Sequence, residues 1–357
     1  MADRMSLRPE RILSDTEPVP YSVALCTYNG ARFIEQQLQS IADQHLKPDE
    51  VVICDDGSTD NTLKLIEQFS QNNPYLNIRL FRNSENLGYI ANFEQAIKLC
   101  RNEYIFLSDQ DDIWVPEKAA IQLSYMLAPT TLLSFSNAAR ISDRSKALNP
   151  DLWSCVNFND LRQHQLCNGH SLEVLSRHNV VTGATVAFRR DFSLASMPFP
   201  RCYPHDAWLA LNAALQNGLV CIDQQLIQYR QHDMNTLGAH YISPLHKAWR
   251  ALWKPRDKFP KDFYQRLEIF SQLIEDQRFP FDFREKLATV LRFQTFRLAV
   301  IEQRTPTYEG LKEVLNWSRH GLYYSHGAGW RSILTDVLQL IRSMPYRVIA
   351  RCNSGKK

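Results

Sequence analysis

Residues 106–118 read FLSDQDDIWVPEK. The apolar run Tyr104, Ile105, Phe106, Leu107 stops at Ser108, and Asp109, Asp111 and Asp112 follow at once. A short apolar run closed by polar residues has the form of a buried strand. Carboxylates this close repel one another, and burying them without a counter-charge is costly. The cluster therefore belongs at an open edge where a ligand or cation sits, rather than inside the core.

Working outward, the same pattern recurs. YSVALCTYNG (residues 21–30) is an apolar run closed by Asn-Gly, and ARFIEQQLQSIADQ after it places Phe33, Ile34, Leu38 and Ile41 at helical spacing. DEVVICDDGSTDNT repeats the strand and loop, and TLKLIEQFSQNN continues it as a second amphipathic helix, with Thr59 or Asp60 as N-cap. NIRLFRN reads as a third strand and NFEQAIKLCRN as a third helix before the strand that ends at the three aspartates. This β-α alternation predicts an α/β fold with a mainly parallel sheet covered by helices. Ligands bind such sheets at the carboxyl ends of the strands, so TYNG, DDGS, NSENLG and SDQDD should line one edge.

Beyond residue 120 the reading is looser. AAIQLSYML continues as a helix starting near Pro116, and TLLSFSNAARIS reads as a strand. VVTGATVAFRR reads as a strand pair around Gly183, and LVCIDQQLIQYRQH as another. HDAWLALNAALQNG is a helix opened by His205 and Asp206 and closed by Gly218. From about residue 240 the chain turns helical, basic and aromatic. The expected organisation is a flexible lead-in (1–20), an α/β catalytic domain (21–240) and a helical C-terminal region (241–357).

Of 357 residues, 44% are hydrophobic and 22% charged, and the net charge of +3 is too small to argue for nucleic acid. The eight cysteines form no CxxC pair and read as reduced thiols in a cytoplasmic protein. Residues 1–20 lack the apolar core of a secretory signal, and no apolar stretch reaches the roughly 18–20 residues that span a bilayer. A cytoplasmic protein, soluble or lying on the inner membrane surface, is the expectation.

Clustered carboxylates coexist when a divalent cation neutralises them. Hard oxygen ligands suit Mg²⁺ or Mn²⁺, and Mg²⁺ is commonly held by one or two carboxylates while phosphates complete its shell. The competing reading is a solvated acidic turn leading into a helix. Asp56, after a buried strand and before Gly-Ser, could accept a hydrogen bond from a base or ribose, or serve as a helix lead-in. The loop has neither GxxxxGK[ST] nor GxGxxG spacing, which counts against ATP hydrolysis and NAD chemistry. A nucleotidyltransferase also uses carboxylates and a metal, but TYNG lacks the Gly-rich basic loop such enzymes carry. A catalytically inactive binding module is a further alternative.

In order and spacing, TYNG, DDGSTDNT, NLGYIANF and DQDDIW resemble glycosyltransferase family 2, inverting enzymes of the GT-A fold, over roughly residues 20–235. The resemblance implies that Thr27, Tyr28 and Asn29 contact the nucleoside, with Asp56 on the base. It places Asn86, Gly88 and Asn92 near the nucleotide and sugar. Asp109 and Asp111 form the DxD motif, Asp111 as metal ligand and Asp109 facing metal, ribose or sugar, while Asp112 positions the donor sugar. Asp206 in PHDAW stands where the family has its general base, with His205 orienting it; by residue type alone Asp206 is an N-cap. QYRQH is similar to rhamnosyltransferase-like members, which implies Arg230 on the diphosphate and His232 as a third metal ligand. Both could equally lie on a surface turn, and Asp233 stands where those relatives often have glycine. The implied reaction transfers a sugar from a nucleoside diphosphate donor, dTDP-rhamnose first and UDP-hexose as the alternative. The acceptor is a saccharide on a polyprenyl carrier, and the product a surface polysaccharide such as O-antigen or capsule. Trp249 and Trp253 among His246, Lys247, Arg250, Lys254 and Arg256, with the apolar and basic end 336–357, suit an anionic membrane surface or packing against protein.

Overall fold

Every residue of β1 (Tyr21–Thr27), β2 (Glu50–Asp55) and, later in the chain, β4 (Tyr104–Ser108) is buried, as strands covered on both faces must be. The computed structural model describes residue 13 and residues 19–233, 261–277, 281–302, 304–327 and 330–342. These belong to two units, Met1–Leu172 with Asn179–Tyr241, and Glu173–His178 with Ile242–Lys357. The expected lead-in, apart from residues 13, 19 and 20, lies outside the described residues. So do the boundary at 240, the tryptophan-rich run 245–257 and the end beyond 342.

In the first unit β3 is Ile78–Arg82, β5 Ile113–Trp114, β6 Leu133–Ser142, β7 Ala147–Leu148, β8 Val186–Arg189 and β9 Leu219–Gln231. The sheet runs β3-β2-β1-β4-β8-β6-β9-β5, with β7 beside β6. β3, β2, β1 and β4 are mutually parallel, as are β6 and β9. β8 is antiparallel to both its neighbours. Helices α1 (Ile34–Ala42), α2 (Thr62–Asn72), α3 (Tyr89–Leu99) and α4 (Lys118–Met126) connect the strands up to β6. Ile34, Leu38 and Ile41 of α1 and Ile66 and Phe69 of α2 pack with Val23, Leu25, Val51, Ile53 and Phe106 in one core. Each such side chain stabilises the fold by roughly 1.5–3 kcal/mol. At the start of α2 the Asp60 carboxylate accepts from the Thr62 N–H at 3.0 Å.

Two expectations need correction, and one strand has no sequence counterpart. VVTGATVAFRR is not a strand pair: Thr182 O accepts from Thr185 N (2.9 Å) and Oγ1 (2.7 Å), closing a 3₁₀ turn at Gly183–Thr185, and only β8 follows. LVCIDQQLIQYRQH is the single strand β9. Its polar centre, Asp223 to Gln225, is exposed at the irregularity where the β6–β9 register shifts around Asn137. β5 has no clear pattern in the sequence. It pairs antiparallel with β9, Ile113 opposite Gln228 and Trp114 opposite Ile227. Residues 109–112 therefore lie in the reversal between β4 and β5, against the end of β9.

Helices α5 (Leu152–Cys155), α6 (Asp160–Cys167) and α7 (Ser171–Arg177) precede β8, and α8 (Arg190–Ala195) and α9 (His205–Leu215) follow it. The second unit is helical: α10 Lys261–Glu275, α11 Phe281–Ile301, α12 Thr307–Arg319, α13 Leu322–Ser325 and α14 Trp330–Arg342. Phe293, Val300, Val314, Leu322, Tyr323 and Leu340 form its core. There the buried Asp336 takes Arg297 on both oxygens and the Tyr323 hydroxyl at 2.8 Å. No helix among the described residues is long and apolar enough to cross a membrane.

Candidate active site

The loops after β1, β2, β3 and β4 meet at one edge of the sheet and are tied to each other by side chains. Gln110, which the sequence reading passed over, joins the first loop to the last. Its Oε1 accepts from Thr27 Oγ1 (2.6 Å) and Tyr28 N (2.8 Å), and its Nε2 donates to Tyr28 O at 3.1 Å. A Cβ on Gly30 would come within 2.2 Å of that Oε1, so glycine is what lets Gln110 lie there. Asn29, in the left-handed region at φ 49°, accepts from Thr59 N at 2.9 Å and donates its own N–H to Ser58 Oγ at 2.8 Å. Tyr28 is left half exposed at the rim.

Asp56 has a structural use. Oδ1 accepts from Leu87 N and Asn83 Nδ2, both at 2.8 Å, and Oδ2 from Gly88 N at 2.9 Å. The carboxylate thus shapes the turn that opens α3, where Gly88 has φ 78°. Asn86 closes the same turn, donating to Asp56 O and accepting from Gly88 N. Asn92 is buried, donating to Cys54 O and accepting from Asn83. Asp56, Asn86 and Asn92, expected beside the nucleotide, build this wall of the site through one another.

Arg230 also differs from expectation. It is fully buried, and its guanidinium bonds Asp111 O (2.7 Å), Ser145 Oγ (2.9 Å), Ser142 O (3.2 Å) and Gln36 Oε1 (2.8 Å) over the Phe33 ring. These bonds direct it into the protein, and its backbone N–H reaches Asp112 Oδ1 at 2.8 Å. It positions the acidic loop instead of presenting a free cation to a diphosphate.

The four carboxylates are close enough to feel one another. Burial, then Asp111 and Asp206, push Asp109 up to about 7. Burial, then Asp111 and Asp109, hold Asp112 well above the usual range against the opposing Arg230; its Oδ2 is buried with no hydrogen-bond partner. Lys118, buried, donates to Gln122 and stands over Trp114 at 5.0 Å; burial pushes it down to about 7, with Asp112 opposing. Tyr229 is raised by burial and then by the charges of Asp112, Asp109, Asp111 and Asp206. Neither Lys118 nor Tyr229 carries a signal in the sequence that distinguishes it from a core residue.

Asp111 Oδ2 accepts from His232 Nε2 at 2.8 Å. Carboxylate oxygens with one imidazole make a donor set that suits Mn²⁺ or Mg²⁺. No group of three or more His, Cys, Asp or Glu side chains is disposed to hold a metal ion among the described residues. The protein would therefore supply part of a coordination shell that phosphate and water complete. The uncompensated Asp112 and the raised Asp109 fit a cation at this edge.

Asp206 opens α9. Oδ1 accepts from Ala207 N (2.6 Å) and Oδ2 from Gly183 N (2.9 Å). A helix N-terminus favours the ionised form, yet burial outweighs these bonds and pushes Asp206 up to about 6. His205 does not bond Asp206. Its ring stacks on Phe93 at 4.3 Å, both nitrogens are buried without a partner, and burial lowers it to about 3.

Comparison with known proteins follows the same outline. A model of the family described as Glycosyl transferase family 2 matches residues 22–189. The dTDP-rhamnosyl transferase RfbG of Shigella flexneri is 30% identical over 230 residues, 60% of this chain and 74% of that protein. An uncharacterized protein of Mycobacterium tuberculosis is 27% identical over 241 residues, 67% of this chain, and the match spans 63% of that relative's length. The mannosyltransferase PcManGT from Pyrobaculum calidifontis, solved with GDP-Man and Mn²⁺, superposes with a TM-score of 0.51 at 17% identity, covering 95% of this chain and 91% of its own. That likeness concerns the fold, the GT-A arrangement.

Proposed function

The chain belongs to glycosyl transferase family 2, and from that premise we propose that it is an inverting, metal-dependent transferase moving a sugar from a nucleoside diphosphate to a saccharide hydroxyl. The observation that carries the reading is the acidic loop after β4, where Asp111 Oδ2 meets His232 Nε2 at 2.8 Å and Asp206 is near enough to raise Asp109. Family membership sets aside the nucleotidyltransferase alternative.

In the proposed step the acceptor oxygen attacks the anomeric carbon from the face opposite the diphosphate. The new C–O bond forms as the bond to the diphosphate oxygen breaks, and the acceptor's proton passes to Asp206. A carboxylate pushed up to about 6 is still ionised at pH 7 and is a stronger base than an ordinary aspartate. The Gly183 and Ala207 N–H groups fix its orientation. Asp111 and His232, in contact at 2.8 Å, would hold the divalent cation, which when bound would supply positive charge to the departing diphosphate; Asp109, the other acid of the motif, is raised by Asp111 but, among the described residues, does not join them in a three-ligand group. Arg230 and Gln110 keep the acidic loop in register with the TYNG loop, and Tyr28 offers an aromatic face to the base.

The donor proposed first is dTDP-rhamnose, because the Shigella flexneri relative is a dTDP-rhamnosyl transferase. A lipid-linked glycan in surface polysaccharide synthesis is the proposed acceptor, and the tryptophan and basic run at 245–257 supports work at a membrane surface. A thermal-shift panel of dTDP-, UDP- and GDP-sugars with and without Mn²⁺ tests this, since a ligand of the native state raises its melting temperature. A metal-dependent shift with dTDP-rhamnose is expected; no shift with any sugar nucleotide would sink the reading.

A further inference from the structure

Away from the carboxylate edge, a cavity of about 380 Å³ opens between β6, the α5–α6 segment and the exposed bend of β9. Seven of its ten lining residues carry a carboxylate or carboxamide, among them Asn137, Asp151, Asn159, Gln163 and Asp223, and none is Lys, Arg or His. Trp153 and Phe158, packed edge to face at 4.8 Å, add an apolar part to the wall. Two of the polar groups are pre-set: Asp151 Oδ2 holds Asn137 Nδ2 at 2.8 Å, and Gln163 Nε2 donates to Phe158 O at 3.0 Å.

This lining selects a chemical class. Hydroxyl groups both donate and accept, so they match a wall of carboxylate and amide oxygens with amide N–H groups. Three aspartates without a cation repel phosphates and uronates. The β6–β9 register sets the position: Asn137 lies opposite Gln225, and Ile141 opposite Arg230. Four residues of strand, roughly 13 Å, separate the cavity from the arginine that holds the acidic loop.

We propose that this cavity is a subsite for an uncharged sugar unit of the acceptor, a unit or more removed from the one that receives the new bond. It rests on the saccharide-acceptor reading above. Contacts at such a distance orient an extended acceptor without touching the reacting carbon.

Saturation-transfer NMR on the whole chain tests this with neutral disaccharides (maltose, lactose, chitobiose) and a glucuronate-containing disaccharide as probes. At least one neutral probe should respond and the uronate should not. Asp223→Lys and Gln163→Ala should each lower the response threefold or more, while the melting temperature and the shift caused by UDP or dTDP stay as in the parent. Silence from every neutral probe in a protein that binds nucleotide overturns the subsite alone. An equal uronate response, or variants equal to the parent, overturns it as well. A parent that binds no nucleotide sinks the transferase reading and this proposal with it.

Discussion

Asp111 Oδ2 and His232 Nε2, 121 residues apart in the chain, meet at 2.8 Å where the reversal after β4 touches the end of β9. Two groups already in contact can turn to one cation without rearranging the backbone. His232→Ala should therefore weaken Mn²⁺ binding in the presence of UDP by at least about tenfold, read by calorimetric titration. Asp111→Asn should weaken it further. Parent-like affinity in His232→Ala would remove the imidazole from the metal shell.

Arg230 is a cation without access to solvent, and its guanidinium ties the acidic loop at Asp111 O to Gln36, Ser142 and Ser145. Arg230→Met should lower unfolding stability by about 2–4 kcal/mol, because Asp111 O, Ser142 O, Ser145 Oγ and Gln36 Oε1 lose their guanidinium partner in a buried place. Arg230→Lys should recover little, since one ammonium cannot reach Gln36, Ser142, Ser145 and Asp111 O together. Urea denaturation measures both; a loss below about 1 kcal/mol for the Met variant would contradict the clamp.

Gln110 and Gly30 form one device. Gln110→Ala should raise the donor KM several-fold with little change in kcat, because it loosens the TYNG loop without removing a reacting group. Gly30→Ala should do the same by displacing Gln110, and the double variant should be no worse than the more severe single one. Additive losses in steady-state assays would separate the two residues.

Asp206 gives a pH signature. Its folded pKa of about 6 exceeds the usual aspartate value, so the native state holds more protons than the unfolded one between about pH 4 and 6. Stability from this group is present below that window and is lost as pH rises through it. With Asp206 as the proposed base, activity should move the other way, rising through about pH 6 as its carboxyl ionises. In Asp206→Asn the fall in stability between pH 4.5 and 7.5 should shrink by about 2 kcal/mol. An unchanged pH dependence of melting would contradict the raised pKa.

The first half of the fold was legible because β1, β2 and β4 are uninterrupted apolar runs and α1 to α3 are amphipathic. The second half was less so because its irregularities are local. Asp223 to Gln225 look like a turn but bulge within one long strand, and Gly183 closes a 3₁₀ turn. At the site, residue type placed the acids at the right edge but could not show where each would be spent. Asp56 and Arg230 look like ligand contacts in the sequence, and in the structure their bonds go to Asn83, Leu87 and Gly88 and to Gln36, Asp111, Ser142 and Ser145. Gln110 sits between two aspartates, and its role depends on a glycine 80 residues earlier.

The most direct test is the release of nucleoside diphosphate from sugar nucleotides in Mn²⁺, with donor affinity measured on the same samples. The parent should release it from at least one donor, and Asp206→Asn should bind that donor with equal affinity while turning over at least about 100-fold more slowly. Equal turnover by Asp206→Asn, or no release by the parent from any donor it binds, would contradict the proposed chemistry.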